Sequence, residues 1–285
     1  MKKVVKVIIG IFVAAVFIRA VVVMGEIEKS SIINEDTIAV LDIDGTILDS
    51  DRTIKMLKEL KDNQHVKGIV IRVNSPGGAV NPSMEIYNYI NKLGKKVYVA
   101  MGSVAASGGY LISLGGDRIY AEPSTVTGSI GVIMNLVNTA ELTDKIGIRS
   151  VVLKTGEFKD TGSPSREMTE KDKEVLYAVL YDMYDQFVNI VASRRALSKD
   201  VVLKLADGRI YTGNMAYNEK LVNKLGSWMD AVNDMKEDLR LPDIKYYEVP
   251  KEQTTLEKIL SAASQTELTK VLSSKTGFFY LADIY

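Results

Sequence analysis

The chain has 285 residues, 46% hydrophobic and 25% charged, with 36 Lys+Arg balancing 36 Asp+Glu. That is enough apolar material for a full core, and zero net charge excludes nucleic-acid binding that relies on overall basicity. With no cysteine there are no disulfides, thiolate metal sites or thiol nucleophiles, and a single histidine, His65, excludes a metal centre built on several imidazoles, so neither metal nor cofactor is expected.

Residues Val7 to Met24 form an apolar run broken only by Arg19, preceded by Lys2, Lys3 and Lys6 and followed by Glu26 and Glu28. As a helix, 18 residues cover about 27 Å, enough to span a bilayer. The basic flank places residues 1–6 in the cytoplasm, 7–24 in the membrane as a single anchor, and everything after linker 25–36 on the extracytoplasmic side of the cell membrane. The membrane lipid is thus one predicted partner. No small-x-small cleavage site follows the run closely, which favours an uncleaved anchor over a signal peptide. Arg19 approaches the outer interface, where its long side chain can snorkel.

Short apolar strands then alternate with amphipathic helices. Strands are predicted at Thr37 to Ile43, Gly68 to Asn74, Val97 to Met101, Arg118 to Ala121, Ile130 to Met134 and Val151 to Leu153. Helices fall at Ile54 to Lys61, Pro82 to Lys92 and from near Ser107. The alternation predicts an α/β domain with a largely parallel sheet. Thr169 opens a long helix reaching about Ala196, with Asp172 as its capping-box partner. No Pro/Ser-rich linker divides residues 37–240, which read as one catalytic domain. Residues 241–285 form a carboxy-terminal extension whose apolar end, Phe278 to Tyr285, reads as a packing or subunit contact.

Two glycine-rich turns follow two of the strands: Asn74-Ser75-Pro76-Gly77-Gly78, and Ser103 to Tyr110 containing Ser107-Gly108-Gly109. Glycines at strand ends let backbone N–H groups face a crevice, and a serine opening a helix sits at the positive end of its dipole. Acyl transfer needs such a pair, one turn supplying the nucleophile and the other oxyanion donors, although two tight turns between strands and helices look the same. A serine also needs a base. His65 lies in a loop entering a strand, at the opposite edge of the sheet from these turns, so the base is a lysine or a carboxylate. A lysine serves only where burial lowers its pKa toward neutral. Lys159, after an aromatic in a glycine- and proline-bounded loop, is the stronger candidate, and Lys154 competes with it.

Four ordered motifs resemble the SppA-type signal peptide peptidases: Asn74 to Gly78, Ala105 to Tyr110, Thr127 to Val132, and Phe158 to Arg166. The later Ala206 to Gly213 fits as well. Over residues 37–240 this resemblance implies a ClpP/crotonase-like fold of stacked ββα units with an added helical carboxy-terminal part, preceded by one transmembrane helix. It further implies a serine endopeptidase with Ser107 as nucleophile, Lys159 as general base, Gly78 and Gly108 as oxyanion donors, and Ser129 orienting the lysine. The implied substrates are remnant signal peptides and other hydrophobic peptides at the membrane. The implied assembly is a homo-oligomeric ring or dome, with the dyad formed inside each chain or across a subunit contact. Thr161 stands where a bulkier apolar residue is usual.

Two other function classes remain at this level. Crotonase-like folds also bind acyl thioesters or act as silent scaffolds, but neither needs Lys159. The run Asp42-Ile43-Asp44-Gly45-Thr46 after an apolar strand resembles the first motif of haloacid-dehalogenase phosphatases, yet Gly116-Asp117 lacks the following acid needed to complete a Mg²⁺ site. The simpler reading is an edge or early strand with Asp42 and Asp44 on one exposed face.

Overall fold

The computed structural model describes residues 33–250, and Ile32–Val249 cluster as one compact unit. The proposed anchor 7–24 and the apolar tail 278–285 lie outside the described residues. Among the described residues no helix is long and apolar enough to cross a membrane.

Strands buried on both faces have near-continuous apolar runs, which is why this sheet was legible as parallel. β1 (Thr37–Asp44), β2 (Val66–Ser75), β3 (Lys96–Ala106), β4 (Arg118–Ala121), β5 (Val126–Gly128), β6 (Ile210–Thr212), β7 (Lys224–Leu225) and β8 (Lys245–Glu248) form one sheet. Its main path runs β6-β5-β3-β2-β1-β8, with β4 pairing both β3 and β7. Every pairing is parallel except β5 with β6. Eight helices accompany it among the described residues: α1 (Asp51–Asp62), α2 (Val80–Asn91), α3 (Gly108–Ser113), α4 (Ala140–Lys145), α5 (Glu170–Arg195), α6 (Lys199–Leu205), α7 (Gly213–Asn218) and α8 (Trp228–Leu239).

Period-two alternation sorts the strand side chains into two layers. Ile69, Ile71, Val73, Val97, Val99 and Met101 join the larger core with Leu57, Ile86, Tyr110 and Phe187, while Ile38, Val40, Val70, Tyr98 and Tyr120 pack on Ala231, Val232 and Met235 of α8. Glycine at position 68 permits the close approach of α8, because a Cβ there would overlap the Met235 sulfur. The long helix begins as predicted: Thr169 caps α5 and forms a capping box with Asp172. Near its other end Arg194 donates to the carbonyls of Leu114 and Gly116 (both 2.7 Å), tying α5 to the end of α3.

Several sequence expectations need correction. Ile130 to Met134 is not a strand: positive φ at Gly128 and Ser129 turns the chain, only Ile130 enters the core, and Ile133 and Met134 are exposed. Val151 to Leu153 is apolar enough for a strand but is exposed and pairs with no strand among the described residues. Conversely, β6, β7 and β8 were too short to show periodicity. β1 is flanked by β2 and β8, so it is no edge strand. Asp42 is largely buried and paired with Arg72, whose guanidinium also bonds Glu248 (2.8 Å) and lies 4.8 Å over the Trp228 ring. A carboxylate held in this way is poorly placed to attack phosphorus.

Candidate active site

β2 ends at Ser75, and Gly77 turns the chain with φ +105°. Ile47 brackets the next residue: its N–H donates to the Gly77 carbonyl (2.9 Å) and its carbonyl accepts from the Ala79 N–H (2.8 Å). That parallel bridge directs the N–H of Gly78 away from Ile47. Glycine is required at both positions. A Cβ on Gly78 would overlap the Ile47 carbonyl, and one on Gly77 would stand 2.7 Å from the Gly108 nitrogen and 2.9 Å from the Ser107 Cβ.

β3 approaches from the neighbouring position. Its pairing with β2 slips between Val73↔Met101 and Ser75↔Ala105, so a bulge of extra residues precedes the serine. Asn74 pins this bulge through its Oδ1, which accepts from the Val104 N–H (3.2 Å). Ser107 then adopts φ 52° and ψ −119°, a conformation that side chains rarely take, immediately before α3. This strand-to-helix elbow presents a half-buried Ser107 beside the first N–H groups of a helix. Neither the Gly78 N–H nor the Gly108 N–H has an acceptor among the described residues. The two backbones are apposed, since a Cβ on Gly108 would lie 3.3 Å from the Gly78 nitrogen. Ser107 and two free donors are therefore apposed, an arrangement of the kind an acyl-transfer site would use.

Ser129 also has positive φ, 49°, and is tied to Ser107 through one residue: the Ser107 N–H donates to the Gly128 carbonyl (2.8 Å). Its own N–H donates to the Arg209 carbonyl (2.8 Å), docking the Ala206 to Gly213 motif here. The bidentate Arg209 holds the Asp207 carboxyl down at about 2.

Lys159 is placed differently. It is exposed on the turn spanning residues 155–162, and among the described residues its amine makes no hydrogen bond or ion pair, with Ser107 and Ser129 included. A single copy of the chain therefore brings Ser107, Gly78, Gly108 and Ser129 together but leaves Lys159 apart from them and unburied. Lys154 is committed elsewhere, donating to the Glu157 carbonyl and the Asp160 carboxylate (both 2.7 Å). His65 sits between α1 and β2 at the opposite end of the strands, 3.1 Å from Asp36. The sequence reading missed the Asn74 pin and the Ile47 bracket, neither of which leaves a periodic signal. It also missed an ionic cluster under the Lys159 turn. There Arg166 lies between Asp160 and Asp172 and holds both carboxyls well below the usual range, helped by Lys154 at Asp160 and by Thr161 at Asp172.

Comparisons with known proteins bear on the family of the chain. The profile of Peptidase family S49 matches residues 90–242, and that of Clp protease matches residues 27–126. The chain is 39% identical over 204 residues to a putative signal peptide peptidase SppA of Enterococcus faecium, covering 70% of this chain and 59% of that protein. It is 38% identical over 198 residues to a putative protease of Synechocystis sp., covering 68% and 71% of the two chains. It is 28% identical over 223 residues to a chloroplastic serine protease SPPA of Arabidopsis thaliana, covering 76% and 33%. The chain thus spans about three fifths of the Enterococcus relative. Because the S49 profile covers more than half of its length, the chain belongs to peptidase family S49.

Proposed function

We propose that the protein is a membrane-anchored serine endopeptidase that cuts hydrophobic peptides, signal-peptide remnants among them, with Ser107 as nucleophile and Lys159 as general base. The observation that carries this reading is the convergence of Ser107 with the unclaimed N–H groups of Gly78 and Gly108. Ser107 Oγ attacks the scissile carbonyl carbon while its proton passes to the neutral Lys159 amine. The oxyanion forms against the two N–H groups, and the lysine returns the proton to the leaving amine as the C–N bond breaks. Water, deprotonated by the same lysine, then releases the acyl group. Ser129 orients the amine. Residues 7–24 keep the site near substrates embedded in the membrane.

The site closes on assembly. Residues 132–164 expose Ile133, Val137, Val151 and Leu153, the last at 94%, apolar side chains suited to burial against a second copy of the chain. Asp172, which helps to anchor the Lys159 turn, lies about 22 Å along α5 from Phe187, and Phe187 packs on Tyr110 in the helix following Ser107. This span favours a lysine delivered to the serine of a neighbour in a homo-oligomeric ring.

The test is hydrolysis of a fluorogenic peptide with an apolar residue before the scissile bond, comparing the assembled protein with Ser107→Ala and Lys159→Ala. Each substitution is expected to abolish turnover and leave the fold intact; turnover like that of the parent in either variant refutes the dyad. Mixing the two inactive variants before assembly then decides where the dyad forms. A cross-chain site recovers activity in about a quarter of its sites by random pairing, whereas an in-chain site recovers none.

A further inference from the structure

We propose that Arg166 is a positioning residue for Lys159, holding its turn in place while keeping negative charge away from its amine. The inference rests on Lys159 being the base. An amine beside a free carboxylate favours its charged form, and a base must be neutral to accept the serine proton. Three carboxylates belong to the Lys159 turn or to the cluster that anchors it: Glu157 and Asp160 on the turn, and Asp172 at the start of the helix that follows. Each is already claimed.

Arg166 does most of this. Its Nε donates to Asp160 Oδ2 (3.0 Å) and its Nη2 to Asp160 Oδ1 (2.9 Å) and Asp172 Oδ1 (3.0 Å). Its Nη1 donates to Asp172 Oδ2 (2.6 Å) and to the Glu167 carbonyl (3.0 Å). All five donors of the planar fork are thereby used, a geometry that an ammonium cannot reproduce. Lys154 supplies a second cation to Asp160, and Lys171 takes Glu157 (3.0 Å). Asp172, only 2% exposed, is completed by Thr161 Oγ1 (2.6 Å) and by the N–H and hydroxyl of Thr169. Of the remaining acids nearby, Glu167 accepts from Asn138 (2.7 Å) and Glu170 pairs with Lys173 (2.7 Å). The adjoining segment 131–139, which packs Leu136 against Gly162, contains no ionisable side chain. Among the described residues Lys159 is the cation of this turn left without a carboxylate.

The experiment measures kcat/KM against pH for the full-length assembled enzyme on the fluorogenic peptide. Variants are Arg166→Gln, Arg166→Lys and the double variant Arg166→Gln with Asp160→Asn. Releasing Asp160 is expected to move the ascending limb of the Arg166→Gln profile about one pH unit toward alkali, a roughly tenfold loss below the limb that closes at high pH. Removing the freed carboxylate in the double variant moves the limb back. Arg166→Lys shifts it in the same direction by less, and it serves as the test if Arg166→Gln does not assemble. A loss of equal size at every pH, not reversed by Asp160→Asn, or an unmoved limb in Arg166→Lys, overturns the proposal. Lys159→Ala separates the two readings. If that variant retains turnover, the dyad itself fails; if it is inactive while the Arg166 limbs stay in place, only the role of Arg166 fails.

Discussion

The two halves of the proposed site are held by different physics. Ser107, Gly77, Gly78 and Gly108 sit where β2 and β3 leave a core buried on both faces, fixed mainly by backbone hydrogen bonds, by the Asn74 side chain and by the absence of a Cβ. Lys159 sits on an exposed turn held by its own short backbone hydrogen bonds and anchored below by side-chain ion pairs. The proposed nucleophile and oxyanion donors are therefore brought together within one chain, while the proposed base is held in its local shape but lacks burial. Burial, and with it the low dielectric that a catalytic amine needs, has to come from another surface.

The comparison can be broken most completely at the sheet. Gly78→Ala forces a methyl group into the Ile47 carbonyl, and a loss of peptide hydrolysis of at least about a hundredfold is expected together with a lower melting temperature. Met235→Ala, remote from the serine, is expected to cost about 2–5 kcal/mol in denaturant unfolding, because Met235 is fully buried against β2. On the exposed side the effect should divide differently. Leu153→Asp is expected to change the stability of the isolated fold by no more than about 0.5 kcal/mol, while light scattering shows smaller assemblies and activity falls with them. An unchanged assembly would show that this apolar segment is not the contact.

The smallest effect expected is that of acid on the Lys159 turn. Asp160 and Asp172 have depressed pKa values in the folded protein, so their stabilisation is complete above the usual carboxylate range and is lost progressively as the pH falls from that range through the depressed values. Hydrogen exchange of residues 155–166, corrected for intrinsic rates, should stay level from neutral pH to about pH 4 and rise only in stronger acid. Opening that sets in well above the normal carboxylate range would mean that the Arg166 cluster is looser than its geometry.

What was legible in the sequence follows the same division. β1, β2, β3 and β4 showed as apolar runs because both faces are covered, and α5 showed through the Thr169 and Asp172 cap. The glycine-rich turns were legible because backbone constraints leave a compositional mark. Ile130 to Met134 and Val151 to Leu153 were misread because apolar composition alone cannot separate a strand from a surface that awaits a partner. The bonds of Arg166, reaching six residues in either direction through an irregular loop, obey no period. Neither does the Asn74 bond, which spans 30 residues to reach the bulge.

The unusual backbone of Ser107 sets function against durability. At φ 52° and ψ −119° any side chain carries strain that glycine escapes, so Ser107→Gly is expected to raise the unfolding free energy by about 1 kcal/mol while ending catalysis. Selection for robustness alone would thus work against the serine proposed as nucleophile.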